Sequence, residues 1–380
     1  MSLQTRLIKP LDVLMLRGNK SFGDAGEHGT SSMPPSPSVL SGALRSFWLA
    51  EKGIDTLKFK TMPVTELKEP LLSQLGTPTD VGSFRLADCG LVRKNAKINE
   101  RIYPLPSDLV LQKLTKDDKS LTLYALQPQN LASDFLGSYQ GQLAILKAPA
   151  GKPEGGYWLN EAGFRAYLKG EKPNLSHLIK TSDLWKSDWR LGIALDNQSR
   201  TASDGQIYTT EAIALQKDIF LTVSITGAND FPQKGTLRLG GDGRAAGFEV
   251  ATHSLLPTIQ AKDKRIKLLL TSPAIFSNGS ELPSLQDLKD GRIYFDGGSA
   301  RVVTTSIPRH HVISGWDLAK WQPKPAERVV PTGAIYWLDD IQYSGTSLQT
   351  ALQDLLLCHL DPQRKAEGYN ACLIANWINP

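Results

Sequence analysis

The block GTLRLGGDGRAAGF, residues 235–248, holds the residues in this chain best suited to chemistry. Gly240, Gly241 and Gly243 carry no side chains, so backbone amides there can approach an anion closely and form a nest. Arg238 and Arg244 bracket the glycines and can add charge-assisted hydrogen bonds to phosphate oxygens. The same spacing also suits a bulged turn against which a neighbouring subunit packs, and both readings stand. GGDGR has the letters of a metal-binding palm turn. A basic and apolar stretch follows it, however, where further carboxylates would be needed, so no metal chemistry is expected there.

A second group lies in residues 7–46, which read as a strand, a long Gly- and Ser-rich loop, and a helix. Arg17 leaves the strand and Arg45 sits off the apolar face of the helix. Two cations thus flank a glycine-rich loop and a helix N-terminus, a pairing suited to anions. His28 in that loop either titrates in solvent or, with Lys20, serves as general acid or base in metal-independent RNA cleavage. A third group is the polar tip SRTASDG between two alternating stretches. Arg200 and Thr201 there can reach a phosphate, and Tyr208 either stacks on an unpaired base or packs in its strand.

Other catalytic signatures are missing from the sequence. The six histidines have no partner at metal-ligand spacing, and there is no phosphate-binding loop, dinucleotide fingerprint or nucleophile elbow. No catalytic residue, metal or cofactor is therefore expected. Cys89, Cys358 and Cys372 are odd in number and widely spaced, which excludes a disulfide framework and suits a reducing cytoplasm.

These groups need elements to hold them. The helix should begin at Ser36-Pro37, bury Leu40, Ala43, Leu44, Phe47 and Trp48, and end at Gly53. Residues 57–80 read as irregular connection. Residues 81–190 read as an insertion of short elements, including a helix over 160–169 and a Trp185/Trp189 pair on one helical face. Alternating strands flank the 200–205 tip, and KDIFLTVSIT is a buried strand. The second unit offers strands at KRIKLLLTSPAIF, RIYFDGG, ARVVTTSI and AIYWL, a helix over SLQTALQDLLLCHL, and a last strand in EGYNACLIANW. Trp316, in a Pro-rich stretch, is either a protein-facing anchor or plain packing. The pattern predicts an α+β protein of two tandem ferredoxin-like domains, 1–255 and 256–380, with a large insertion around 81–190 in the first.

Composition sets outer limits. Hydrophobic residues make up 41% and charged residues 21%, enough for a sizeable core in two domains. There is no apolar run of membrane-spanning length and no secretory signal at the N-terminus, so the expectation is a cytoplasmic protein without membrane contact. The net charge of +5 permits a polyanion partner without requiring one. Arg85, Arg93, Lys94, Lys97 and Arg101 form a basic run that is either a solvated face or a phosphate-contacting surface.

The N-terminal block, together with residues 192–211, 237–248, 268–276, 314–338 and 367–377, resembles in order the RAMP-superfamily (RRM-like) subunit of type III-B CRISPR (Cmr) effector complexes. That resemblance implies a non-catalytic subunit that binds the 5′ handle of the crRNA. It also implies, as partners, the large palm-domain signature subunit and the backbone RAMP subunits, and RNA contact by the glycine loop. The alternative within reach of the sequence is an endoribonuclease that processes precursor crRNA. EGYNACLIANW keeps Gly368 but has Asn370, Ala371 and Ala375 where such loops often carry glycine, which argues against RNA contact there.

Overall fold

The computed structural model describes residues 2–16, 28–29, 31–78, 80–95, 99–113, 120–130, 141–195, 199, 201–285, 291–317 and 322–378. The protein is α+β and rich in strands, organised on two antiparallel sheets. Across the first sheet the strands run Leu178–Lys180, Tyr157–Asn160, Asn99–Pro104, Arg85–Lys94, Ile219–Thr226, Gln4–Pro10, Ala245–Ala251 and Lys234–Arg238. Across the second they run Arg292–Phe295, Gly298–Ser306, Ile335–Tyr343, Ile266–Leu270 and Cys372–Ala375. Gln4–Pro10 lies between Ile219–Thr226 and Ala245–Ala251, with Arg85–Lys94 one strand further out. Ile266–Leu270 has the same neighbours in the second sheet: Ile335–Tyr343 and Cys372–Ala375, with Gly298–Ser306 one strand further out.

Alternation decides which face each strand buries. In Ile219–Thr226, Leu221, Val223 and Ile225 turn to the core shared with helix Pro37–Glu51. That helix starts with Pro37 in its first turn, but Ser36 makes no side-chain cap. Leu40, Leu44 and Trp48 are buried, and Trp48 meets Phe231 edge-on at 5.5 Å. Each such side chain contributes roughly 1.5–3 kcal/mol on burial. Phe47 packs edge-on against Phe248, so odd-numbered positions of the edge strand, such as Gly235 and Leu237, face the helix. The even ones face away.

The described residues hold two large apolar cores, one under helix Pro37–Glu51 and one that joins strands of both sheets. Tyr103, Leu109, Leu159, Phe164 and Tyr167, all from residues 81–190, lie in this second core with Leu268, Tyr336, Trp337 and Leu352. At its centre Lys267 Nζ meets Asp108 Oδ2 at 2.8 Å, and Asp108 Oδ1 accepts from the Tyr167 hydroxyl at 2.8 Å. Burial pushes the lysine down from its usual range against the pull of Asp108, and pushes the tyrosine up.

Several sequence expectations need correction. Within residues 81–190, read as short elements, Arg85–Lys94 is a ten-residue strand of the first sheet. Trp185 and Trp189 lie on a strand, Trp185–Leu195, rather than a helix, because β-branched and aromatic positions pair there with Ala202–Leu215. The 57–80 connection carries short helices at Thr56–Phe59 and Leu71–Leu75. The Pro-rich stretch is a hairpin, His311–Asp317 with Gln322–Val329. The expected helical turn near residues 284–291 falls mostly outside the described residues.

Candidate nucleic-acid interface

Three of the sequence-selected segments come together at one end of the first sheet, around residues 11–16. The glycine block is the turn that joins Lys234–Arg238 to Ala245–Ala251. Gly241 donates its amide to the Met15 carbonyl at 2.7 Å, and Leu239 donates to the Arg244 carbonyl at 2.8 Å. Positive φ falls at Gly240, Asp242 and Gly243, and not at Gly241. A Cβ at Gly240 would sit 2.5 Å from the Met15 carbonyl oxygen, so this glycine is required by close backbone approach.

The long hairpin reaches the same place. Leu14 and Ile213 exchange backbone hydrogen bonds of 2.8 Å, and His28–Gly29 pairs in parallel with Thr209 and Thr210. Ser31 donates its amide to Glu211 Oε2 at 2.8 Å. The chain therefore departs at residues 14–16 beside the glycine block and the hairpin, and residues 28–29 and 31–32 lie against the hairpin and Leu16. Arg17, Lys20 and Arg200 lie outside the described residues, as do the side chains of His28, Tyr208 and Trp316. Thr201 is exposed, with its hydroxyl 2.7 Å from that of Ser199, and Tyr208 pairs through its backbone with Gly192.

The cations divide by environment. Arg238 is exposed and meets no carboxylate among the described residues. Arg244 is half-buried and ion-paired with Asp12, which also lies 3.9 Å from Arg190. Arg190 in turn bonds Asp188 at 3.0 Å. Arg45 is turned inward: its Nη2 donates to the Leu75 carbonyl at 2.9 Å, its guanidinium lies over Phe84, and burial lowers it to about 10.

The helix N-terminus offered to an anion by the sequence already has one from within the chain. Glu367 accepts from the Ser38 hydroxyl, from Arg364 at 2.8 Å and from Lys324 at 2.8 Å. Burial would raise the Glu367 carboxyl, but Lys324, Ser38 and Arg364 hold it below its ordinary value. Helix Pro362–Glu367 is thereby locked beside helix Pro37–Glu51 and the Arg85–Lys94 strand. The EGYN block is structural too. Gly368 is left-handed against the Leu86 carbonyl, and Asn370 bonds Leu356 and Ile275 backbone groups.

Lys97 of the basic run lies outside the described residues, and the other four cations are engaged within the chain. Arg101 is buried against Asp88 at 2.8 Å, in space that Gly90 leaves open. Arg93 lies 3.9 Å from Glu100, Lys94 pairs with Glu249 at 2.6 Å, and Arg85 bonds the Gly82 and Phe84 carbonyls. Cys89, half-buried, is pushed up to about 12 by desolvation and Asp88, and the buried Cys372 likewise by desolvation, which keeps both thiols protonated and unreactive at neutral pH. Among the described residues no group of three or more His, Cys, Asp or Glu gathers as a metal site, and no helix is long and apolar enough to cross a membrane.

The family CRISPR-associated protein (Cas_Cmr3) matches residues 6–377. The chain belongs to this family. No curated relative matches. Among solved structures, a chain of a type III-B Cmr-beta complex bound to cognate target RNA is 16% identical. The match covers 97% of this chain and 96% of that one, with a TM-score of 0.50. A chain of the same kind of complex with target RNA and AMPPnP is also 16% identical, covering 98% and 99%, with a TM-score of 0.49. At such identity the first likeness speaks for the fold. That a Cas_Cmr3 member places its glycine block, N-terminal loop and long hairpin together is a property of this chain's own geometry. Asp12, which pairs with Arg244, and Glu367, which accepts from the Ser38 hydroxyl at the helix start, carry no local motif. Each meets its partner from more than two hundred residues away in sequence.

Proposed function

We propose that this Cas_Cmr3 family member is a non-catalytic subunit of a type III-B CRISPR effector ribonucleoprotein. In this reading it binds the crRNA 5′ handle and docks the large palm-domain subunit to the RAMP backbone, in the cytoplasm. The observation that carries the reading is the convergence of the glycine block, the departing N-terminal loop and the long hairpin beside the exposed Arg238. Phosphate contacts by such cations and by backbone amides position RNA, while edge contacts and stacking select bases. The strand arrangement repeated in both sheets is the fourth-first-third-second order of a ferredoxin-like unit, which supports the tandem RRM-like, RAMP reading with units 1–255 and 256–380.

Docking has its own support. Trp189, Leu191 and Ile193 are 55%, 70% and 50% exposed on alternate positions of an edge strand. Such a stripe is unusual on a surface that faces only water.

The test is filter binding of the purified chain to RNA carrying a repeat-derived 5′ handle, against a scrambled handle, over a salt series. About four phosphate contacts give a slope near −3 in log K against log salt for single-stranded RNA. A flat response, or equal binding of both RNAs, overturns the handle-binding reading. Metal-free cutting of repeat RNA that is abolished by His28→Ala would establish the endoribonuclease instead.

A further inference from the structure

The face of the first sheet opposite helix Pro37–Glu51 carries a row of residues that RNA binding at the glycine block does not use. Val92 pairs with Phe220 across one strand boundary, Lys9 with Gly247 across another, and Gly247 with Thr236 across a third. Lys9 follows Ile8, the partner of Leu221, which sets Lys9 beside Phe220. Phe220 is half-buried, with Lys9 Nζ 5.9 Å and Lys94 Nζ 5.8 Å from its ring centroid. A Cβ at Gly247 would meet nothing closer than the Gly235 carbonyl at 4.0 Å, so the surface beside Lys9 is open. Arg238 lies on this same face, two residues along the edge strand from Thr236.

We propose that Phe220 is a stacking platform for an unpaired base of single-stranded RNA, with Lys9 and Lys94 on the phosphates either side of it. The proposal rests on the RNA-binding reading above and adds a second contact to it. Val92 beside Phe220 is fully buried, but toward Gly247 the face is open, and a half-buried aromatic ring at such a border is a surface on which an unpaired base of any kind can stack. Flanking ammonium groups already attracted to the ring are placed to meet phosphates at the same level. The row leads across Gly247 toward Arg238, so one strand of RNA can run from the glycine block onto the platform. Glu249 opposes this by pairing with Lys94 at 2.6 Å. That pair is exposed, so a phosphate can take over the lysine at small cost.

The test uses the full chain and a single-stranded handle RNA with 2-aminopurine at successive positions, in a salt series. Phe220→Ala and Phe220→Leu should weaken binding about 5- to 150-fold, the range for one stacked base, with the salt slope unchanged. Phe220→Tyr should restore it, and one 2-aminopurine position should lose its quenching in the Ala and Leu variants but not in the Tyr variant. Lys9→Gln with Lys94→Gln should make the slope shallower by about 1.4, at roughly 0.7 per contact. Glu249→Gln should strengthen binding. Thermal melts of each variant separate folding loss from contact loss.

If Phe220→Ala binds like the parent while Arg238→Ala weakens binding, the platform is wrong and the RNA-binding reading survives. If Phe220→Ala leaves RNA binding intact but loses partner subunits in pull-down, the face is a protein contact and the proposal is overturned. If the parent chain binds no RNA, both readings fall together.

Discussion

Asp12 and Arg244 form an ion pair between the exit of the first strand and the end of the glycine block. The pair commits one of the two arginines that bracket the glycines and leaves Arg238 exposed. Asp12 also lies within reach of Arg190 on the long hairpin, so one carboxylate ties together two of the three converging segments.

RNA affinity should therefore depend on Arg238 more than on Arg244. Arg238→Ala removes an exposed cation that meets no carboxylate among the described residues, whereas Arg244→Ala removes one already shared with Asp12. A charged hydrogen bond contributes about 1.5–3 kcal/mol where water is excluded and less at an exposed site. Asp12→Asn should free Arg244 and strengthen binding. Filter binding of the three variants at one salt concentration checks the ranking, and equal losses for the two arginines would contradict it.

The glycines should rank by geometry. Gly240→Ala combines positive φ, which costs about 1–2 kcal/mol for an L-residue, with a clash on the Met15 carbonyl. Gly243→Ala pays the φ cost alone, since nothing lies within 4 Å of its added Cβ. Gly241 is not at positive φ, so a substitution there acts through its amide bond to Met15 and through access to the loop. Urea denaturation should place Gly240→Ala below Gly243→Ala in midpoint. The reverse order would mean that the loop does not pack on the Met15 strand exit.

Local elements were legible in the sequence because local patterns make them. Helix 37–51, the strands at 219–226 and 335–343, and the hairpin around residue 201 all follow from periodicity and glycine placement. Trp185 and Trp189 misled because residues four apart share a face in a strand as well as in a helix. The fate of Arg45 was not legible. It depends on Leu75, Phe84 and, through Coulomb attraction, Glu367, all brought to it by tertiary folding. Likewise nothing near Asp108 announces that Lys267, 159 residues away, will share its burial.

Asp108→Ala should be among the most destabilising single substitutions in the chain. It leaves Lys267 buried without its carboxylate and Tyr167 without its acceptor, and breaking such a pair costs about 3–5 kcal/mol. Asp108→Leu combined with Lys267→Met should recover much of the loss, because apolar residues of similar volume often replace a buried pair with little cost. Urea midpoints for the single and double variants decide it. A double variant no better than Asp108→Ala would point to lost shape complementarity instead.

Acid should loosen the junction between helices Pro37–Glu51 and Pro362–Glu367. The Glu367 carboxyl titrates below its unfolded value, so its contribution is fully present above about pH 4.5. It is lost as pH falls through the lower folded value, where Arg364 and Lys324 lose their shared carboxylate. Glu367→Gln should be less stable than the parent at pH 7, and the gap should close as both are taken below pH 4. Thermal melts across pH 3–7 measure this, and a gap that stays constant in acid would mean the carboxylate's charge is not what holds the junction.

The exposed stripe on the long hairpin predicts a separation between folding and assembly. Leu191 is the most exposed of its three apolar residues, on a strand that has a partner on one side only. Leu191→Asp removes little packing within the chain, so its melting temperature should stay within about 2 °C of the parent. A charge placed in the centre of a desolvated contact, by contrast, weakens association strongly, commonly by more than 2 kcal/mol at a hot spot. Reconstitution with the other subunits of a type III-B complex, followed by pull-down, should therefore show loss of a neighbouring subunit while handle RNA binding by the isolated chain persists. Loss of RNA binding with retention of every subunit would turn the stripe from a protein contact into part of the RNA surface. An unchanged complex would leave its three exposed side chains facing water in the assembled state, and the docking reading would fail.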